Sequence, residues 1–158
     1  MKRHAVFVPL PHPKLPAADW ADCFQTLRQG NPVTARRAAE LMLTSFPLWV
    51  RLLMRLRDGA VRPFGLMGRE TVEATVPARA RIGFFPVIDE TNSEITLGLD
   101  DHHLDFRLVV TVENQADASQ LISVTTLVHR KVTFGRVYMA AIAPFHRLIV
   151  RSSLNRLA

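Results

Sequence analysis

The longest helical pattern in the chain spans residues 135–157, GRVYMAAIAPFHRLIVRSSLNRL. With Phe145 at the centre of a helical wheel, Tyr138, Ala141, Ile142, Leu148, Ile149 and Ser152 fall within about 60° of it, a stripe wide enough to pack on a sheet. The segments before it change to a period of two. Residues 81–88 (RIGFFPVI) predict a strand, with Pro86 marking an edge or a bulge. Ile95, Leu97 and Leu99 share one face of a strand over 94–99. Leu104, Phe106, Leu108, Val110 and Val112 do the same over 104–113. A polar turn at 114–118 leads into a long strand over 121–132, with Ile122, Val124, Thr126, Val128 and Val132 on one face. Short loops between consecutive strands imply antiparallel hairpins, because a parallel connection needs a dozen or more residues.

The N-terminal half reads differently. Thr34 can cap a helix whose inner face is Ala35, Ala38, Leu41 and Met42. Pro47 suits the first turn of a second helix, lined on one side by Trp49, Leu52, Leu53 and Leu56 and on the other by Arg51 and Arg55, with Asp58 and Gly59 ending it. Residues 71–77 (TVEATVP) predict a further short strand. Segment 19–28 fits two patterns. As a helix it aligns Trp20, Phe24 and Leu27, with Gly30 as a stop, and local pattern leans this way. As a strand it puts Trp20, Phe24 and Thr26 on one face, with Asp22 intruding among them. Strands and helices are segregated along the chain, which argues for an α+β fold with helices on one side of an antiparallel sheet.

Composition adds bounds. The 158 residues fit one domain, and 48% hydrophobic with 22% charged residues is the profile of a globular chain. The single cysteine, Cys23, excludes an internal disulfide framework and suits a reducing compartment. The opening MKRHAVFVPLPHP has an apolar run too short and too broken by proline for a signal peptide, and no stretch approaches a membrane span, so the expected location is the cytoplasm. Four of the ten prolines fall in residues 1–16, expected to be an extended arm on the surface of a single domain over 17–158.

The net charge of +6 is unevenly placed. Residues 1–117 balance 14 basic against 14 acidic side chains; Arg130, Lys131, Arg136, Arg147, Arg151 and Arg156 supply the whole excess. Arg136, Arg147 and Arg151 point away from the apolar stripe of the last helix, as a solvated face or as a patch for anions. No aromatic residues interleave with this patch, so nucleic acid is not an expected partner.

Three stretches carry a resemblance: PLWVRLLMRLR at 47–57, LGLDDHHLDFR at 97–107, and GRVYMAAIAPFHRLIV at 135–150. Through them the chain resembles a family of uncharacterised bacterial proteins, a domain of unknown function, within the START-like, birch-pollen-allergen-like helix-grip superfamily. The resemblance implies an antiparallel sheet wrapped around a long C-terminal helix, with two short helices near the N-terminus. It also implies that 19–28 is the first strand and that a cavity lies between sheet and helix. It implies no activity.

Candidate chemistry is sparse. Asp100-Asp101-His102-His103-Leu104-Asp105 holds enough ligands for a metal, but neighbours at a hairpin tip diverge, so a polar turn is expected and no metal or cofactor is assigned. Asp105 and Arg107 share the strand face opposite Leu104, Phe106 and Leu108; turned inward they would flank a cavity, turned outward they form a surface pair. Pro144 removes a helix donor and predicts a kink, with His146 at the edge of the stripe and Tyr138 within it. Glu94 and His129 are weaker candidates. The leading expectation is a small apolar or amphipathic ligand held by Phe106, Tyr138, Ile142, Phe145 and Ile149, with Asp105, Arg107 and His146 as polar groups. An enzyme using Asp105 or His146 as acid or base is the alternative. A protein- or membrane-associating module working through the basic outer face of the last helix is the third.

Overall fold

Alternating apolar residues along the second half of the chain generate the sheet. In the computed structural model, residues 4–44, 46–65, 69–155 and 157 are described. Strands β1 (His4–Val6), β2 (Trp20–Arg28), β3 (Arg81–Ile82), β4 (Phe85–Glu90), β5 (Glu94–Asp100), β6 (Leu104–Asn114) and β7 (Gln120–Arg130) form one seven-stranded sheet in the order β1-β2-β7-β6-β5-β4-β3. Every neighbouring pair is antiparallel. Helices α1 (Ala35–Leu43), α2 (Leu48–Val61) and α3 (Arg69–Thr75) come between β2 and β3, and α4 (Thr133–Leu154) closes the chain. This is an α+β fold of helix-grip type, an antiparallel sheet with a long C-terminal helix.

Register decides which side chains meet that helix. Opposite partners in an antiparallel pair share a face, so the pairs Phe24–Val124, Val124–Val110 and Val110–Ile95 align one apolar row across four strands. On this face Leu97, Leu108, Val110, Val112, Ile122 and Val124 pack with Ala38, Met42 and Leu43 of α1 and Val150 and Leu154 of α4 in the main core. The opposite face is also covered. Leu15 and Ala18, from the proline-rich N-terminal segment, pack on Val109 and Leu127, and Lys14 pairs with Asp89 and Glu94 at 3.0 and 2.6 Å.

Local signals set most of the element ends. Thr34 caps α1, its side chain accepting from the Arg37 amide at 3.2 Å. The buried Gln120 amide accepts from Val33 N at 2.8 Å and donates to Val33 O at 3.2 Å, fastening the approach to α1 onto β7. Arg28 donates to the Leu157 carbonyl at 3.0 Å, anchoring the C-terminal end to β2.

Four expectations need correction. Segment 19–28 is strand β2 rather than the helix favoured by local pattern, because nine residues of pairing to β7 outweigh it. Segment 71–77 is largely helix α3, not a strand. Segment 81–88 divides at the Gly83 turn into β3 and β4, where Gly83 takes φ +60°, and Pro86 does sit in a short strand next to the sheet edge, with a register shift between Val87 and Asp89. Helix α2 is turned the other way: Val50 is fully buried, while Leu48, Trp49, Leu52 and Leu56 face outward.

The rotation of α4 also differs from its wheel. Gly135, Met139, Val150 and Ser153 are buried, with Ile142 and His146 between them on the same line, whereas Phe145 and Leu148 are half exposed. The inward line therefore passes through His146, about 100° from the expected centre at Phe145. Its origin is visible in the first turn. A Cβ on Gly135 would lie 2.5 Å from the His103 carbonyl oxygen, which already accepts from Lys131 N at 3.0 Å. Only glycine lets α4 start that close to the β5–β6 turn. The helix continues unbroken through Pro144, whose missing donor falls on the exposed side. The Gly135→Ala variant is expected to lose about 1–3 kcal/mol in chemical denaturation, because the obstructing atom is backbone; an unchanged midpoint would show that this approach does not seat the helix.

Candidate functional site

Between the inner sheet face, α4 and α2 lies a cavity of about 190 Å³. Its walls are mainly apolar, with Met42, Leu53, Met54, Phe85, Phe106, Leu108 and Val124 among them. Of the residues expected from sequence, Phe106, Tyr138, Ile142, Phe145, His146 and Ile149 line it. Phe145 is 48% exposed, which puts it at the rim.

Asp105 and Arg107 do not line it. Their neighbours Leu104, Phe106 and Leu108 do, and the pleat sends Asp105 and Arg107 to the other face. There Asp105 meets Lys131 Nζ at 2.5 Å and His129 Nδ1 at 3.5 Å, while Arg107 forks onto Asp100 at 2.6 and 3.1 Å. Those hydrogen bonds hold the Asp100 carboxyl below its ordinary value. Glu94 is likewise engaged by Lys14. Among the described residues no three His, Cys, Asp or Glu side chains converge as a metal site. Burial pushes the Cys23 thiol up, against a nucleophilic role.

Two charged groups that the sequence did not single out for the site matter instead, one in the cavity lining and one behind it. The first is Arg57, on the inner side of α2. Its side chain is 19% exposed, donates to Tyr138 Oη at 2.8 Å and to Asp58 Oδ1 at 2.7 Å, and lies 5.8 Å from the centre of the Tyr138 ring. Burial works against its charge, but the Tyr138 and Asp58 oxygens outweigh this and hold its pKa above the ordinary value. The second is Asp22. The register pairs it with Thr126, so both point at α4. His146 Nε2 lies 2.9 Å from Thr126 Oγ1 and 3.6 Å from Asp22 Oδ1, and the edge of Trp20 approaches the imidazole with ring centres 6.0 Å apart. Among the described residues neither carboxylate oxygen of Asp22 has a hydrogen-bond partner, though both are buried. A carboxylate left in that condition is expensive, and His146 is the basic group facing it.

The cavity therefore has Arg57, paired with Asp58, and Asp101 in its lining, and a His146–Thr126 wall with Asp22 behind it. Tyr138 and His146 are eight residues apart on α4, about 12 Å of helix rise. The signal for Asp22 was its intrusion on an otherwise apolar strand face. Arg57 gave none, since arginines on a helix normally mark the solvent side.

A model of proteins of unknown function, DUF2867, matches residues 14–153. The chain belongs to the DUF2867 family. The matched span contains every cavity residue named above. No curated protein and no solved structure matches this DUF2867 chain.

Two outcomes follow from this geometry. In a double-mutant cycle of Asp22→Asn with His146→Ala, chemical denaturation is expected to give a coupling of about 1 kcal/mol or more. Removing the imidazole should cost less once the carboxylate is gone, and strictly additive losses would show that the two groups do not interact. For Asp100 the sign runs from a lowered native pKa. The stability it contributes is complete above the ordinary value of 3.8 and fades as pH falls through the lowered one. Arg107→Leu should therefore flatten the loss of melting temperature below about pH 4; an unchanged acid limb would remove the Arg107 contribution.

Proposed function

We propose that the chain binds a small amphipathic molecule with an anionic group in the cavity between the sheet and α4. The observation that carries this reading is Arg57. A guanidinium stands in the wall of a largely apolar cavity, and among the described residues its side-chain acceptors are Tyr138 Oη and Asp58 Oδ1 alone. That leaves donor capacity for a ligand carboxylate or sulfonate, the charge-assisted pairing that a planar fork suits. The volume of about 190 Å³ bounds the ligand. It exceeds the roughly 150 Å³ cavity that admits benzene and falls below the roughly 300 Å³ where drug-sized sites begin. A single ring or a short chain with one acid fits. We further infer kinship with START-like helix-grip proteins and action in the cytoplasm, on the sequence resemblance and the helix-grip layout together.

One observation favours a second reading, an enzyme using the same cavity. Asp22 and Thr126 flank His146, whose ring reaches the cavity wall, and a carboxylate beside an imidazole is the usual support for a proton-transferring histidine. In this reading His146 is the acid–base group and Asp22 positions it, while Asp105, the other acid–base candidate, lies on the far face.

Isothermal titration calorimetry, with thermal shift in parallel, tests the binding reading. Phenylacetic, benzoic and hexanoic acids should bind and raise the melting temperature, while the matching alcohols should do so weakly. Arg57→Met should weaken acid binding by about tenfold or more. Equal responses to acids and alcohols, or no response to either, would contradict it.

A further inference from the structure

Helix α2 has two unlike sides. Val50, Leu53, Met54 and Arg57 face the body of the protein, and the last three line the cavity. On the opposite side Leu48, Trp49, Leu52 and Leu56 are 79%, 42%, 66% and 69% exposed. At about 100° per residue these four fall within one arc of about 100°. Single exposed leucines are ordinary, but a continuous exposed stripe along one helix is not.

Arg51 and Arg55 border this arc on one side. Both are exposed, and both line a surface cleft of about 710 Å³ between α2 and the β3–β4 turn, which Arg81 also lines. Arg62 continues the same border just past the helix end. Among the described residues no acid stands within ion-pair distance of Arg51, Arg55 or Arg62, and the acid on α2, Asp58, is engaged by Arg57.

We propose that α2 is a membrane-docking helix that lays its Leu48–Trp49–Leu52–Leu56 arc into the interface of an anionic bilayer, with Arg51, Arg55 and Arg62 on the lipid phosphates. An amphipathic helix with leucines and a tryptophan on one side and arginines at its border lies in the plane of such an interface. Tryptophan prefers that depth. Each arginine near the surface adds attraction to anionic lipid. The charge pattern also selects among occupants. In a symmetric dimer through this arc, both copies would present arginines, and α2 offers no disengaged acid to receive them. A lipid phosphate layer supplies the missing charge. Docking in this pose sets the outer side of α2 on the membrane while its inner side remains a cavity wall. The proposal does not depend on what the cavity holds.

Sedimentation of the full chain with phosphatidylcholine vesicles, with and without phosphatidylglycerol, is the test, with Trp49 emission as a second readout. Binding is expected to vesicles containing the anionic lipid, to weaken with salt, and to be accompanied by a blue shift that Trp49→Phe removes. Leu52→Glu with Leu56→Glu should reduce binding about tenfold or more, and Arg51→Glu with Arg55→Glu should abolish the preference for phosphatidylglycerol. Arg147→Glu with Arg151→Glu, on the outer side of α4, should leave binding intact. All these side chains except Trp49 are well exposed, so circular dichroism should stay native. Several results would overturn the proposal. One is no binding of the wild-type chain at low salt. Another is binding that survives the two leucine substitutions or is lost with Arg147 and Arg151. A third is displacement by inorganic phosphate alone. The last is a wild-type dimer in sedimentation equilibrium that the leucine substitutions dissociate, which would give the arc to a second copy.

Discussion

The site depends on where α4 begins. Gly135 sits against the His103 carbonyl with no room for a Cβ, and that approach fixes the rotation of a helix of 22 residues. Turned this way, the helix points His146 at Thr126 and Asp22 and leaves Phe145 at the rim. A rotation by one residue would present Phe145 to the sheet and move the imidazole to the edge. The close packing of a single glycine thus determines whether the inner face is a solid apolar layer or a cavity with a polar wall.

Such a wall works against stability. A buried carboxylate without hydrogen bonds and a partly buried arginine both oppose folding, and apolar residues would fill the same positions at less cost. Sequences tend to break their own local rules at functional places. Asp22 breaks the apolar alternation of β2, and Arg57 breaks the expectation that arginines mark the outer side of α2. Arg57 lines the cavity, and Asp22 stands behind its His146 wall.

The sheet was legible because the face toward the helices keeps a period of two, as Ile95–Leu97 and Leu108–Val110–Val112 show. β2 was less so, since Trp20, Phe24 and Leu27 also satisfy helical spacing and only pairing with β7 decides between them. The facing of α2 was not legible. Its bulkiest apolar residues were assigned to the core, yet Val50, Leu53 and Arg57 go inward and Leu48, Leu52 and Leu56 outward, a choice that burial preference alone cannot reveal. Asp105 and Arg107 share a face as the period of two requires, but sequence could not say which face; the pairing of Arg107 with Asp100 and of Asp105 with Lys131 belongs to the far side of the sheet. Family membership adds no residue roles, so the assignment of Arg57, His146 and Asp22 rests on geometry.

The most direct measurement is a methyl-resolved NMR titration of the isotope-labelled chain with phenylacetic acid. The account predicts saturable shifts at Leu108, Val124, Thr126 and Ile142, which line the cavity, with Val109 and Leu127 of the opposite face unmoved. Shifts centred on Val109 and Leu127, or silent cavity methyls while other surfaces respond, would contradict it.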